Sequence, residues 1–276
     1  MVTTKNLTFT ITHGRTGTTF LTEAFKVFED TLSVHEPEPN YANHLPLVKQ
    51  DPRHAIDFLK QKLSHIDGIR EANYVETSNV FGKGFFIPLL RMGITPNLVL
   101  LNRNFRKTAT SLFQRGSTPM RTKMGQHFSA DPSVPDSLPI YSPDSLSDYQ
   151  LCYWGVLDAF ARQLQAADIY DGQDCSCYRW AASGDFHDFD FLKSVGATFG
   201  LSIGNEDAAK KQHDAIKAKH HNPNRSSSKA SLPASLDEEE IAVLDRIAYY
   251  RPIVIEKALN SRFMDGSVKA AFGFSD

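Results

Sequence analysis

The segment Thr12-His13-Gly14-Arg15-Thr16-Gly17-Thr18-Thr19 lies between two stretches of different periodicity, and that restricts what the chain can fold into. Upstream, Leu7 to Ile11 is rich in β-branched and aromatic residues and reads as a strand. Downstream, Phe20, Leu21, Ala24, Phe25 and Phe28 recur at helical spacing. The residues between must make a tight strand-to-helix turn. Its backbone N–H groups and the helix start then point at one place, which suits an anion such as phosphate. Gly14 and Gly17 let the backbone approach closely, Thr18 and Thr19 add hydroxyls, and Arg15 adds a fixed positive charge.

The spelling of the turn narrows the class. A triphosphate-binding P-loop needs Gly-x-x-x-x-Gly-Lys-Ser/Thr, but Gly17 is followed by Thr18. The dinucleotide fingerprint Gly-x-Gly-x-x-Gly is also missing. Further on, Asn97 to Leu101 follows Thr95-Pro96 and reads as a buried parallel strand. It ends at Asn102-Arg103, and a helix starts near Asn104 with Ala109, Leu112 and Phe113 on its apolar side. Arg103 and Ser111 can together offer a guanidinium fork and a hydroxyl to a phosphate dianion.

Arg15-Thr16-Gly17-Thr18-Thr19 resembles the 5′-phosphosulfate loop of the sulfotransferases that use 3′-phosphoadenosine 5′-phosphosulfate (PAPS), and Arg103 with Ser111 is similar to that family's 3′-phosphate element. The resemblance covers roughly residues 7 to 113. It implies PAPS as co-substrate without a metal, and sulfuryl transfer to a hydroxyl, less readily an amine, of a small molecule or saccharide. It places Gly14, Arg15, Thr16, Gly17, Thr18 and Thr19 around the 5′-phosphate and Arg103 and Ser111 at the 3′-phosphate. Arg15 stands where the family stabilises the bridging oxygen, and Glu36, at the end of the second strand, where several members carry a catalytic glutamate. Glu38 and His35 are the competing bases. Many relatives carry a lysine just after the third strand, whereas this chain reads Glu76-Thr77-Ser78-Asn79. Either one of Glu76, Thr77 and Ser78 meets substrate instead, or Lys83 reaches back.

The remaining pattern fits a single α/β domain, 1–276, with a central mostly parallel sheet flanked by helices, in the P-loop-like sulfotransferase architecture that the resemblance implies. Further strands are expected at Thr31–His35, Ala72–Glu76 and Cys175–Trp180. Helices are expected at Asp51–Ile66, around Phe85 to Leu90, and at Leu151–Ala166, Phe186–Phe199 and Glu238–Leu259. Pro37 and Pro39 take the chain out of the sheet after the second strand. Residues 115–147 are aperiodic and read as a substrate-side lid. Residues 210–231, with Lys217, Lys219, Arg225 and Lys229, are basic and polar. They read either as a solvated loop or as a flexible clamp over the 3′-phosphate. Phe81, Phe85, Phe86, Tyr141, Tyr153 and Trp154 either line an acceptor pocket or fill the core.

A net charge of −2 gives no reason to expect a nucleic-acid partner. Cys152, Cys175 and Cys177 suggest no disulfide framework, and Cys175 and Cys177 read as packing residues on one strand face. No metal-ligand cluster is apparent, His220-His221 being an isolated pair. With no apolar run near 18 residues and no signal-peptide pattern, the expectation is a cytoplasmic protein without a membrane anchor. Two other classes compete with a sulfotransferase: a P-loop phosphotransferase, and a non-catalytic nucleotide-binding module of the same fold.

Overall fold

The computed structural model describes residues 3–219 and 230–274. In chain order, β1 (Asn6–Ile11), α1 (Thr18–Phe25), β2 (Thr31–Val34), α2 (Tyr41–Gln50), α3 (Arg53–Asp67) and β3 (Asn73–Glu76) make up the first part. There follow α4 (Phe86–Arg91), β4 (Asn97–Asn102), α5 (Phe105–Gln114), α6 (Lys123–Phe128), α7 (Asp148–Asp171) and β5 (Tyr178–Ala182). The remainder is helical, with α8 (Phe189–Thr198), α9 (Glu206–Lys217), α10 (Leu236–Ala248), α11 (Pro252–Leu259) and α12 (Gly266–Ala271).

The five strands form one all-parallel sheet in the order β2-β3-β1-β4-β5. Both faces are covered, so alternate residues of one strand enter different cores. Leu98 and Leu100 of β4 pack with Leu7, Phe9 and Ile11 against α2, α3 and α4. Val99 and Leu101 face the other way, into the layer of α1, α8 and α9. A third cluster joins α5 and α7 to the C-terminal helices α10, α11 and α12. Leaving β1, the chain winds towards β2 on one side, and leaving β3 it passes to β4 on the other. That reversal beside β1 opens a crevice at the C-terminal ends of the strands.

Polar side chains hold the crevice floor. The side-chain amide of Gln163, buried in α7, donates to the Ile11 carbonyl at 2.6 Å and the Leu101 carbonyl at 3.1 Å, and its Oε1 accepts from Asn102 at 2.7 Å. The Thr10 hydroxyl donates to the Ser78 carbonyl at 2.9 Å, tying β1 to the end of β3.

Several expectations change here. The strand expected from Cys175 begins only at Tyr178, and Cys175 and Cys177 are joined as a disulfide. The absence of a disulfide is therefore corrected, while both cysteines do pack, half-buried, against the core beneath α2, α3 and α4. The chain comes off α7 through a turn, with Asp174 at positive φ, and enters the sheet only where Tyr178 pairs with Leu98. The helix expected over Glu238–Leu259 is two helices, because Pro252 has no N–H to continue α10 and starts α11 instead.

Residues 115–147 contain α6, and the Trp154 indole N–H donates to the Leu138 carbonyl at 2.9 Å. Asp158 accepts from the Leu138 N–H at 2.8 Å, and Thr118, Ser129, Ala130 and Leu138 are buried. The segment is thus packed into the domain rather than hung as a free flap. Of residues 210–231, those up to Lys217 complete α9; Arg225 and Lys229, with His220-His221, lie outside the described residues. No helix among the described residues is long and apolar enough to cross a membrane.

Candidate active site

The turn after β1 is shaped from within. The Thr16 hydroxyl is buried and donates to the His13 carbonyl at 2.8 Å, and Thr12 Oγ1 lies 2.7 Å from it and 2.7 Å from the Leu101 carbonyl. Thr16 therefore has its backbone N–H, rather than its hydroxyl, to offer a ligand. Gly17 adopts φ 97° as the N-cap of α1, and no side chain caps that helix. A side-chain oxygen caps several other helices, as Asn40 does for α2, Asn104 for α5 and Ser147 for α7, whereas α3, α4 and α11 share the lack of one. The first backbone N–H groups and positive dipole end of α1 can receive an anion. A Cβ on Gly17 would stand 2.9 Å from Ser183 Cβ, in a backbone region that L side chains rarely adopt. Gly17→Ala should cost about 1–2 kcal/mol of stability, measured as a lower urea midpoint.

Three guanidinium groups converge on this turn. Arg15, itself at φ 73°, points Nε at Ser111 Oγ, 2.9 Å away on α5. A serine that accepts this bond keeps its own O–H to donate. Arg103, at the end of β4, reaches the Arg15 carbonyl at 3.5 Å through Nη1. Burial, then the charges of Arg115 and Arg103, lower the pKa of Arg15 from its ordinary value. Among the described residues no carboxylate pairs with Arg103 or Arg115. Like charges gathered this way repel one another, and a bound dianion would relieve the repulsion. α5 itself is held from behind by Arg106, which pairs with buried Glu240 at 2.8 Å and with Asp265 at 3.1 Å.

The opposite wall comes from the ends of β2 and β3. Glu36 sits at φ 47°, and its Oε1 accepts from the Asn79 amide at 2.6 Å. Buried Lys62 fixes the loop from below, donating to the Pro39 carbonyl at 2.8 Å while paired with Glu76 at 2.8 Å. Glu76 is wholly buried and also accepts from the Tyr74 hydroxyl, and Thr77 and Ser78 are buried beside it. Lys83 Nζ donates to Asn79 Oδ1 at 3.2 Å and to the Phe128 carbonyl at 2.7 Å. Glu38, by contrast, is exposed and structural, accepting from Asn40 N–H at 3.0 Å and the Asn43 amide at 3.1 Å. His35 is exposed with Nδ1 2.7 Å from the Thr77 carbonyl.

Burial lowers the pKa of Lys83 to about 7, with Arg162 and Lys49 adding to the fall and Asp158 opposing it. Between pH 7 and the ordinary lysine range the unfolded chain holds a proton that the folded one has released. The contribution of Lys83 to stability then rises with pH in that window, by at most about 1.4 kcal/mol per unit. Wild type should gain on Lys83→Met between pH 7 and 9 in parallel urea titrations; equal pH slopes would contradict the assignment.

Arg15, Arg103 and Ser111 thus come together around the open start of α1, with Gly14, Thr16, Gly17, Thr18 and Thr19 forming the turn. Glu36 joins them at the same end of the sheet without contacting them. Asn79, Lys83 and Arg115 complete the arrangement and had no assigned place in the sequence pattern, though Lys83 stood there as an open alternative. Phe81, Phe85, Phe86, Tyr153 and Trp154 are buried in the core rather than lining a pocket, and Tyr141 is exposed. Among the described residues no cluster of His, Cys, Asp and Glu could hold a metal ion. No family model matches the chain, and no curated protein matches it.

Proposed function

We propose that the protein is a PAPS-dependent sulfotransferase acting on a hydroxyl of a small molecule or saccharide. The observation that carries this reading is the convergence of Arg15, Arg103 and Ser111 on the uncapped start of α1. The two functional ends also coincide with backbone strain. Arg15 and Glu36 both hold positive φ, a cost of about 1–3 kcal/mol each that tends to persist where function requires it.

In this reading the turn N–H groups of residues 14–19 bind the 5′-phosphate, and Arg103 with Ser111 binds the 3′-phosphate. Fixing the donor at both ends sets its sulfur in line with the acceptor. Glu36 takes the proton of the acceptor hydroxyl as that oxygen bonds to sulfur. The bond from sulfur to the bridging oxygen breaks, and Arg15 stabilises the charge left on the phosphate. Asn79 orients Glu36, and Lys83 orients Asn79.

The test is transfer of sulfur-35 from labelled PAPS to a panel of hydroxyl acceptors; no transfer to any class of alcohol, phenol or saccharide would sink the proposal. Arg103→Ala should weaken 3′-phosphoadenosine 5′-phosphate by about 2–3 kcal/mol, the scale of a charge-assisted contact. Adenosine 5′-phosphosulfate, lacking the 3′-phosphate, should lose far less. Equal losses in a calorimetric titration would remove Arg103 from the 3′-phosphate.

A further inference from the structure

We infer that Cys175 and Cys177 form a reversible thiol–disulfide exchange site, set in an acidic hollow that favours cationic or neutral thiols over anionic ones. The site lies at the N-terminal end of β5, at the other end of the strands from the arginine cluster, which follows the C-terminal ends of β1 and β4. The bond joins residues two apart, so it closes a very short loop and constrains the unfolded chain little. Such a bond is a poor structural staple. The backbone around it is held by other means: Cys175 N–H donates to the Tyr170 carbonyl at 3.0 Å, and Leu98 N–H to the Cys177 carbonyl at 2.8 Å. The pair can open and close without releasing β5.

Both cysteines are half-buried, with exposed Ser176 between them, and Cys175 borders an open hollow of about 490 Å³. Asp171 and Asp174 line it, with Asp171 accepting from the Tyr178 hydroxyl at 2.7 Å. Arg179 lines it too, but bonds to Thr198 at 2.8 Å. The third cysteine cannot compete. Cys152 is buried in α7, and burial pushes its thiol up to about 12.

The step exchanges bonds alone. An incoming thiolate bonds to one cysteine sulfur, the Cys175–Cys177 bond breaks, and its electron pair leaves on the other sulfur, which takes up a proton. A second thiol then displaces the protein from the mixed disulfide. Two small thiols are oxidised to one disulfide, and the protein pair is reduced to two thiols.

The experiment treats folded protein, purified without reductant, with cysteamine or glutathione at equal thiolate concentration, then alkylates it and weighs it intact. No label is expected before treatment and two after it, with a third only on denaturation. Cysteamine should react about threefold faster than glutathione at low salt, and the gap should close at high salt. Cys177→Ser should take one label without any thiol. Two labels on untreated wild type, or labelling only after denaturation, would overturn the exchange site. Equal rates at low salt would overturn its charge selection.

Discussion

Glu36→Gln should lower kcat by about 10²–10⁴-fold, the usual contribution of a general base, while leaving the affinity for 3′-phosphoadenosine 5′-phosphate unchanged. Glutamine keeps the oxygen that accepts from Asn79, so the loop geometry survives, but it cannot take a proton. The loop stays anchored through Lys62 on the Pro39 carbonyl. The acidic limb of the pH–rate profile should vanish with the carboxylate. Glu38→Gln is the matched control. Its carboxylate holds the start of α2 through Asn40 and Asn43, and its loss should cost little activity. If Glu38→Gln is inactive and Glu36→Gln active, the loop is right and the residue wrong. If both keep full activity, His35 is the next base to replace.

Arg15→Ala should cut kcat by about a hundredfold or more, the cost of losing a preorganised donor to developing charge. Its guanidinium is already aimed by Ser111 and by its own left-handed backbone, so no reorganisation is needed during the reaction. Arg15→Lys should recover little, because an ammonium cannot keep the Ser111 contact and present a planar fork as well. Product-nucleotide affinity should also fall, since the 5′-phosphate is charged in the ground state. Rapid-quench turnover with bound donor separates the two effects. An unchanged kcat in Arg15→Ala would remove this residue from the mechanism.

The turn after β1 and the place of Arg103 were legible in the chain because their parts are local. Strand, glycine turn and helix follow one another within residues 6–25, and Arg103 opens the next such unit at the end of β4. Parallel strands bring those ends together without further information. The Glu36–Asn79–Lys83 chain was not legible, since it depends on how the ends of β2 and β3 align and on Phe128 closing over Lys83. The Gln163 clamp comes from α7, some 150 residues from the Ile11 carbonyl it grips. α2 was missed because Pro46 interrupts an otherwise weak apolar pattern. Pro252 stands inside the span read as one helix, and its missing N–H divides α10 from α11. Of the strand read over Cys175–Trp180, the part from Tyr178 is in β5, whereas Cys175 and Cys177 stand before it and are bonded to each other.

The most direct test is equilibrium binding of 3′-phosphoadenosine 5′-phosphate beside adenosine 5′-monophosphate and magnesium-ATP, by calorimetry on the wild-type protein. Arg103 and Ser111 together should make the bisphosphate bind at least about a hundredfold more tightly than the monophosphate, without any metal. Tight binding of magnesium-ATP with no preference for the 3′-phosphate would contradict the account and mark the turn as the phosphate loop of a phosphotransferase.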